Sequence, residues 1–167
     1  MLNSGLVIDP EVKTEFAELR SKKISAIRFM VNPCKTKIVI DSGSKLSISK
    51  ESPYMTTMEG FEDHNCKYAA VHVELKDSEK SLQNKLVFIM WVSDNAPVKE
   101  RMITTASLGA IKSELNLNGI TILQMNSLDD KKPDMVIKRL AGKRLITEFE
   151  GKSVTLNKET NTYDFTN

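Results

Sequence analysis

The chain has 167 residues, a length typical of one globular domain with a core of its own. Hydrophobic residues make up 40% of it and charged residues 28%, which excludes a disordered polyelectrolyte. Its 24 Lys and Arg nearly balance its 22 Asp and Glu, so no nucleic-acid partner is expected. The longest apolar run, residues 86–92, is shorter than a membrane span, and residues 1–9 lack a basic leader. We therefore expect a cytoplasmic protein with no membrane span.

The first predicted element is a helix over residues 10–21. Asp9 is suited to accept from an orphan amide at the helix start, Pro10 suits the first helical position, and Glu11 complements the helix dipole. Residues 1–9 are then expected to be a flexible N-terminal arm, extended over residues 4–8.

Two strands are predicted next, at residues 24–31 and 36–41, because both stretches are rich in β-branched and apolar residues. The turn between them makes a hairpin. Residues 42–58 contain many Ser, Thr and Lys, which predicts an irregular connection. A short helix is predicted at residues 59–65.

The next two predicted strands are residues 68–75 and 86–92, with a polar connection between them. The second is apolar at every position, as expected of a central strand that is covered on both faces. Helices should therefore flank the sheet on both sides.

The longest predicted helix runs to about residue 116, and Ser93, Asp94 and Asn95 supply candidate capping side chains before it. A strand is predicted at residues 120–125 and a last helix at residues 133–141. Short strands are predicted at residues 145–149 and 153–156, and residues 157–167 read as a polar tail in which Tyr163 and Phe165 are possible anchors. The whole chain, residues 1–167, is thus one α/β (α+β) sandwich, in which about residues 150–167 form a C-terminal extension.

Catalytic and metal-binding patterns are missing from the sequence. His64, Cys66 and His72 lie close together in the chain, but the paired local spacings of a zinc site are absent, which favours an ordinary core thiol and histidines. The glycines form neither a phosphate-binding loop nor a dinucleotide fingerprint, and no serine or cysteine lies in a nucleophile-elbow pattern. We expect no enzyme, no metal and no cofactor, and we expect Cys34 and Cys66 to be free thiols.

Residues 85–115 join an apolar strand by a short turn to a long helix whose first turn carries two cations. This stretch closely resembles the ADF/cofilin family of actin-binding proteins. The most specific part is the segment Ala-Pro-x-Lys-x-Lys/Arg-Met that opens the helix in that family. It is matched here by Ala96, Pro97, Lys99, Arg101 and Met102.

Three further matches follow in the expected order. Residues 4–7 resemble the family's N-terminal Ser-Gly arm, residues 66–69 resemble its Cys-Arg/Lys-Tyr-Ala strand start, and a basic helix closes the domain. The resemblance covers about residues 4–145 and is weak between residues 42 and 62. It implies the ADF-homology fold, a central mixed sheet of five or six strands with helices on both faces. It also implies a cytoskeleton-associated monomer that binds G-actin and F-actin, and promotes filament severing and depolymerisation without catalysis.

The resemblance also implies two actin-binding surfaces. The monomer-binding surface maps onto Ser4 and Gly5 in the arm and onto Lys99, Arg101, Met102 and Lys112 in the long helix. The filament-binding surface maps onto Lys85, Lys138 and Arg139. Three positions depart from the family pattern. Gln83 stands where relatives often have a cation, Gly142 stands where some have an arginine, although Lys143 is next to it, and Glu100 inserts a negative charge between the two helix cations.

Regulation is expected at the arm and at the basic residues. Phosphorylation of Ser4 would add negative charge where the arm meets actin's acidic surface. Residues 131–152 hold seven cations and three acids, which suits acidic actin or phosphoinositide head groups, although a solvated helix face accounts for such a run equally well. The alternative function is that of another branch of the fold: a glia-maturation-factor-like protein that binds the Arp2/3 complex, or a coactosin-like filament binder that does not sever.

Overall fold

The computed structural model describes residues 5–166, and its strands join into one connected sheet with helices on both faces. The helices are α1 (Pro10–Arg20), α2 (Pro53–Met58), α3 (Val98–Glu114) and α4 (Pro133–Ala141). The strands are β1 (Val7–Ile8), β2 (Ile24–Val31), β3 (Lys37–Ile40), β4 (Leu46–Ser47), β5 (Cys66–Asp77), β6 (Leu82–Val92), β7 (Thr121–Met125), β8 (Ile146–Phe149), β9 (Lys152–Asn157) and β10 (Thr162–Phe165).

The central path of the sheet runs β1-β3-β2-β5-β6-β7. The pairs β1-β3 and β6-β7 are parallel and the other pairs are antiparallel, so the predicted mixed sheet is confirmed. The central path has six strands, as the resemblance implied, and in the described part of the chain the whole sheet reaches ten strands because β4 adds to β2 and the branch β8-β9-β10 adds to β5.

Two apolar cores lie on opposite faces of this sheet. On one face α1 and α3 pack through side chains such as Phe16, Leu19 and Ile111. On the other face α2 and α4 pack through side chains such as Tyr54 and Ile137. The prediction of helices on both faces is confirmed, and its reason is that the apolar half of β6 contributes alternately to both cores.

The structure differs from the sequence prediction around β5 and β6, which extend through the stretch predicted as a polar connection. A tight turn joins the two strands, and the Asp77 carboxylate oxygen Oδ1 accepts from the backbone amides of Glu79 and Ser81, both at 2.9 Å. Polar side chains near the turn do not interrupt the strands because backbone pairing continues from Cys66 opposite Val92 to Lys76 opposite Leu82.

The predicted helix at residues 59–65 is also wrong, because the helix of this region is α2 and ends at Met58. Pro53 lies in the first turn of α2. Backbone amides there have no partner within the helix, so a proline, which has no amide hydrogen, costs no helical hydrogen bond. The residues that follow close over the core instead: the Phe61 ring stacks on Trp91 at 5.5 Å, and Trp91 Nε1 donates to the Glu62 carbonyl at 2.9 Å.

The C-terminal extension forms a β-hairpin, β9 and β10, where the sequence predicted a polar tail after residue 156. Tyr163 is buried, as predicted for an anchor. Its backbone amide donates to Asp134 Oδ1 at 2.7 Å, and its hydroxyl accepts from the Ile146 amide at 3.1 Å. The hairpin is therefore tied to the start of α4 and to β8.

Glu150 joins the end of β8 to the start of α2. Its carboxylate accepts from the backbone amides of Tyr54 at 2.7 Å and Met55 at 3.4 Å, two amides that α2 itself leaves without partners. Burial raises the pKa of this carboxyl to about 7, since the loss of hydration outweighs the two hydrogen bonds that favour its charged form.

This raised pKa predicts a pH-dependent stability. A carboxyl whose pKa is higher in the folded than in the unfolded chain stabilises the protein at low pH, and that contribution is lost as the pH rises through about 7. We expect Glu150 to lower the free energy of unfolding by on the order of 1 kcal/mol between about pH 6 and pH 8. Urea unfolding of the wild type and of Glu150→Gln at both pH values measures this difference. The variant should lose that part of the pH dependence, and an identical dependence in both proteins would contradict the assignment.

Candidate functional site

The candidate site begins at the loop that joins β6 to α3. Ser93 is buried, its hydroxyl donates to the Asp63 carbonyl at 2.5 Å, and it accepts from the Asn95 amide at 3.2 Å. Asn95 Nδ2 also donates to the Asp63 carboxylate at 3.0 and 3.1 Å. Ser93 and Asn95, two of the predicted capping residues, thus stabilise the loop and do not cap the helix. The residue that precedes α3 is Pro97, which makes no side-chain cap.

The middle of α3 is fastened to the sheet by Tyr68 of β5. The Tyr68 hydroxyl donates to the Thr104 carbonyl at 2.6 Å, and burial raises the pKa of this phenol, which keeps it protonated as a donor. Ile111 buries the inward face of the helix further along. The helix is therefore held at its loop, its middle and its C-terminal half, and its first turns point outward from a rigid support.

The first turns of α3 carry exposed apolar residues beside cations. Val98 is 61% exposed and Met102 is 66% exposed, and one helical turn separates them. Lys99 is exposed, and Arg101 is half-buried with its Nε donating to the Ala96 carbonyl at 3.1 Å. Neither Lys99 nor Arg101 forms an ion pair with any residue from 5 to 166. Both positive charges are thus available to a partner.

A groove of about 670 Å³ runs beside these turns. Its walls are largely apolar, and it lies between α3 and the ends of β6 and β7. The residues that shape it include Val92, Val98, Met102, Ile103, Ala106 and Asn126. Apolar side chains with this exposure are typical of a docking surface rather than of a core.

Two exposed apolar residues were missed by sequence reasoning, and the first of them lines this groove. Val98 lies one turn before Met102, a spacing that places both on one helix face, and this signal was present in the sequence. Leu128, half exposed, is the apolar residue at the start of the polar turn that precedes α4. Its exposure depends on the path of the backbone, so the sequence carries no comparable signal for it.

The N-terminal arm is only partly an arm. Val7 and Ile8 pair with β3 as strand β1, Ile8 is buried, and Leu6 packs against the core that α1 and α3 share. Gly5 is exposed and has a φ of +77°, a left-handed conformation that glycine adopts without strain. Ser4 lies outside the described residues.

Lys112 and Arg139, which the resemblance assigned to different surfaces, line one groove. This second groove has a volume of about 590 Å³ and follows residues 119–124, with Lys112 of α3 on one side and Arg139 of α4 on the other. Both side chains are exposed. The structure therefore separates Lys112 from the first-turn cations of its own helix and places it with a residue of the other layer.

The remaining predicted cations have mixed environments. Lys85 is exposed on β6, and Lys138 Nζ pairs with Asp134 at 3.4 Å. Gln83 accepts from the Arg144 guanidinium at 2.8 Å, so this departure from the family pattern is bonded to a neighbouring cation. Other basic residues of the 131–152 run are also engaged, as Lys131 donates to the Phe61 carbonyl at 2.7 Å.

The described residues contain no group of three or more His, Cys, Asp or Glu side chains that is arranged to hold a metal ion. Both thiols are free, and burial raises the pKa of the half-buried Cys66 thiol. His72 is buried, and its Nε2 lies 2.6 Å from the Leu19 carbonyl. Among residues 5–166, no helix is long and apolar enough to cross a bilayer.

Comparison with known proteins identifies the family. Residues 5–141 match the model of the Cofilin/tropomyosin-type actin-binding protein family. The chain belongs to this family. It is 31% identical over 142 residues to actin-depolymerizing factor 2, isoform c, of Caenorhabditis elegans, an alignment that covers 77% of this chain and 91% of that relative. The C-terminal hairpin lies beyond residues 5–141, the part of the chain that the family model matches.

Solved structures of this family share the fold. The match to actin depolymerization factor 2 of Plasmodium berghei has a TM-score of 0.67 and 20% identity, and covers 78% of this chain and 92% of that one. The match to coactosin of Entamoeba histolytica has a TM-score of 0.61 and 24% identity, and covers 76% and 88%. Because both kinds of protein have this architecture, the fold alone does not separate the branches of the family.

Proposed function

We propose that this protein binds actin monomers and actin filaments and promotes filament severing and depolymerisation. The observation that carries the proposal is the start of α3, where exposed Val98 and Met102 lie between cations that have no acidic partner in the described chain. Family membership supports actin as the partner.

The chemistry of this surface suits a partner with an apolar cleft and an acidic rim. An apolar side chain that enters a cleft loses its water and contributes most of the affinity, and Met102 is exposed enough to do so. Lys99 and Arg101 would meet the acidic rim, where opposite charges speed association and fix orientation. Arg101 is well prepared for this role because its Nε bond to the Ala96 carbonyl already orders the side chain.

Filament binding is proposed for a second surface that includes Lys85, Lys138 and Arg139. A protein that contacts two neighbouring subunits favours the subunit arrangement that fits both of its surfaces, so its binding energy changes the filament geometry. Severing and depolymerisation follow if the favoured arrangement differs from that of the bare filament. The ion pair of Lys138 with Asp134 leaves its charge partly neutralised, whereas Arg139 has no such partner in the described chain.

Filament microscopy together with monomer titration tests the proposed activity against the two other branches. We expect wild-type protein to sediment with filaments, to increase the rate of breakage per filament length, and to bind monomers. Filament binding without breakage would favour a coactosin-like activity. Removal of filament branches without monomer binding would favour a glia-maturation-factor-like activity, and either result would contradict the proposal.

The role of the α3 cations is tested by the double charge reversal Lys99→Glu/Arg101→Glu. Reversing both charges should weaken monomer binding by about 100-fold or more, since two attractive contacts become repulsive. Titration of fluorescent actin monomers measures the affinity, and thermal unfolding checks the fold. Lys22→Glu/Lys23→Glu is the matched control, because these residues precede Ile24, at the opposite end of the central strands from the start of α3. Equal affinities of the two double variants would refute this role.

We also propose that phosphorylation of Ser4 weakens actin binding. The phosphate would add about −1.5 to −2 charge next to Gly5, on an arm that has to lie against an acidic surface. Ser4→Glu should therefore lower the affinity for monomers severalfold, while Ser4→Ala should leave it close to that of the wild type. Monomer titration of both variants checks this, and an unchanged affinity of Ser4→Glu would count against the proposal.

A further inference from the structure

Strand β7 is an open edge of the sheet. It pairs in parallel with β6, and no other described strand joins it. No hydrogen bond from a described side chain reaches the backbone of residues 121–125 either, so the outward backbone groups of β7 have no protein partner among residues 5–166. An edge of this kind is a template on which another extended chain forms a ladder of hydrogen bonds.

The groove of about 590 Å³ described above lies along this open edge. Residues 119–124 form its floor, Leu108 and Lys112 of α3 line one side, and Arg139 of α4 lines the other. The edge is thus a recessed channel between two helices rather than a flat, exposed border.

The charges of the channel select its occupant. Lys112 and Arg139 form no ion pair with any described residue. Lys138, the residue immediately before Arg139, is instead paired with Asp134. No acidic side chain lines the groove. A second copy of this chain docked edge to edge would bring four cations together, so the charge pattern disfavours a homodimer and favours an acidic segment.

We propose that the β7 edge binds an extended segment of a partner protein that carries two adjacent acidic residues flanked by β-branched residues. Successive side chains of a strand point to opposite faces of the sheet. One acid of an adjacent pair therefore faces the α3 layer and Lys112, and the next faces the α4 layer and Arg139. Backbone hydrogen bonds to β7 supply the rest of the affinity, and the five residues of β7 set the length of the segment.

This proposal is independent of the actin-binding surface at the start of α3, and its test uses no actin. The probe is the synthetic peptide acetyl-Thr-Val-Glu-Asp-Val-Thr-amide, titrated into isotopically labelled protein at low salt. We expect the amide resonances of β7 to shift and their hydrogen exchange to slow, while the resonances of the α3 first turn stay unchanged. Shifts confined to other parts of the chain would overturn the proposal.

Two control peptides separate a strand ladder from simple charge attraction. The isomer acetyl-Thr-Glu-Val-Asp-Val-Thr-amide has the same composition but places both acids on one face, so it should bind at least about fivefold more weakly. The second control is the first peptide with its alternate backbone nitrogens methylated. It keeps both acidic charges but loses the amide N–H groups that would donate to β7, so it should not bind measurably. If either control binds as tightly as the probe, the channel is an anion site without strand pairing, and the proposal fails.

Protein variants locate the charges. Lys112→Gln and Arg139→Gln should each weaken the peptide by about tenfold, a typical value for losing a charge-assisted contact. Lys138→Gln is the matched control, because it removes a neighbouring cation of α4 that does not line the groove, and it should leave the peptide affinity unchanged. Equal losses in all three variants would show a diffuse electrostatic effect and would contradict the assignment.

Discussion

Burial of strand β6 on both faces is the constraint on which the rest of the structure depends. From Val87 to Val92 every residue is at most 5% exposed. Such a strand is stable only between two apolar layers, so α1 and α3 have to cover one face while α2 and α4 cover the other. The strand ends at Val92 and α3 begins at Val98, so the start of α3 emerges at the edge of the core.

The residues that identify the family divide into structural and exposed ones. Tyr68 binds the Thr104 carbonyl and Ala96 supplies the carbonyl that Arg101 holds, so both act within the fold. Lys67 pairs with Asp41 at 2.9 Å and likewise acts within it. Lys99 and Met102 instead point to solvent. One short motif thus combines the contacts that fix the helix start with the side chains that remain available to a partner.

Much of this fold was predictable because its elements are marked by local chemistry. Helix α4 has the predicted bounds, since Pro133 begins it and Gly142 ends it. The failures occurred where distant contacts decide the structure. The segment after α2 is not a helix because it contacts Trp91, about thirty residues away in the chain. Phe61 stacks on the Trp91 ring, and the Glu62 carbonyl accepts a hydrogen bond from Trp91 Nε1. The C-terminal tail became a hairpin because Asp134 and Ile146 bind Tyr163, and sequence pattern carries no information about such partners.

The candidate site was predictable only in part, for the same reason. Lys99, Arg101 and Met102 adjoin in the motif, so the resemblance was enough to group them. Lys112 and Arg139 come from different helices on opposite faces of the sheet, and only the position of β7 between α3 and α4 brings them to one groove. The open edge of β7 depends on which strands pair, and strand order cannot be read from the spacing of apolar residues.

The account rests on Met102 being part of a docking surface and not of the core, and Met102→Ala tests this most directly. The variant should bind actin monomers about tenfold more weakly, while its free energy of unfolding should change by less than about 0.5 kcal/mol, as is usual for an exposed side chain. Actin titration and urea unfolding of the same preparation give both values. An unchanged affinity, or a loss of about 2 kcal/mol or more in stability as for a buried methionine, would contradict it.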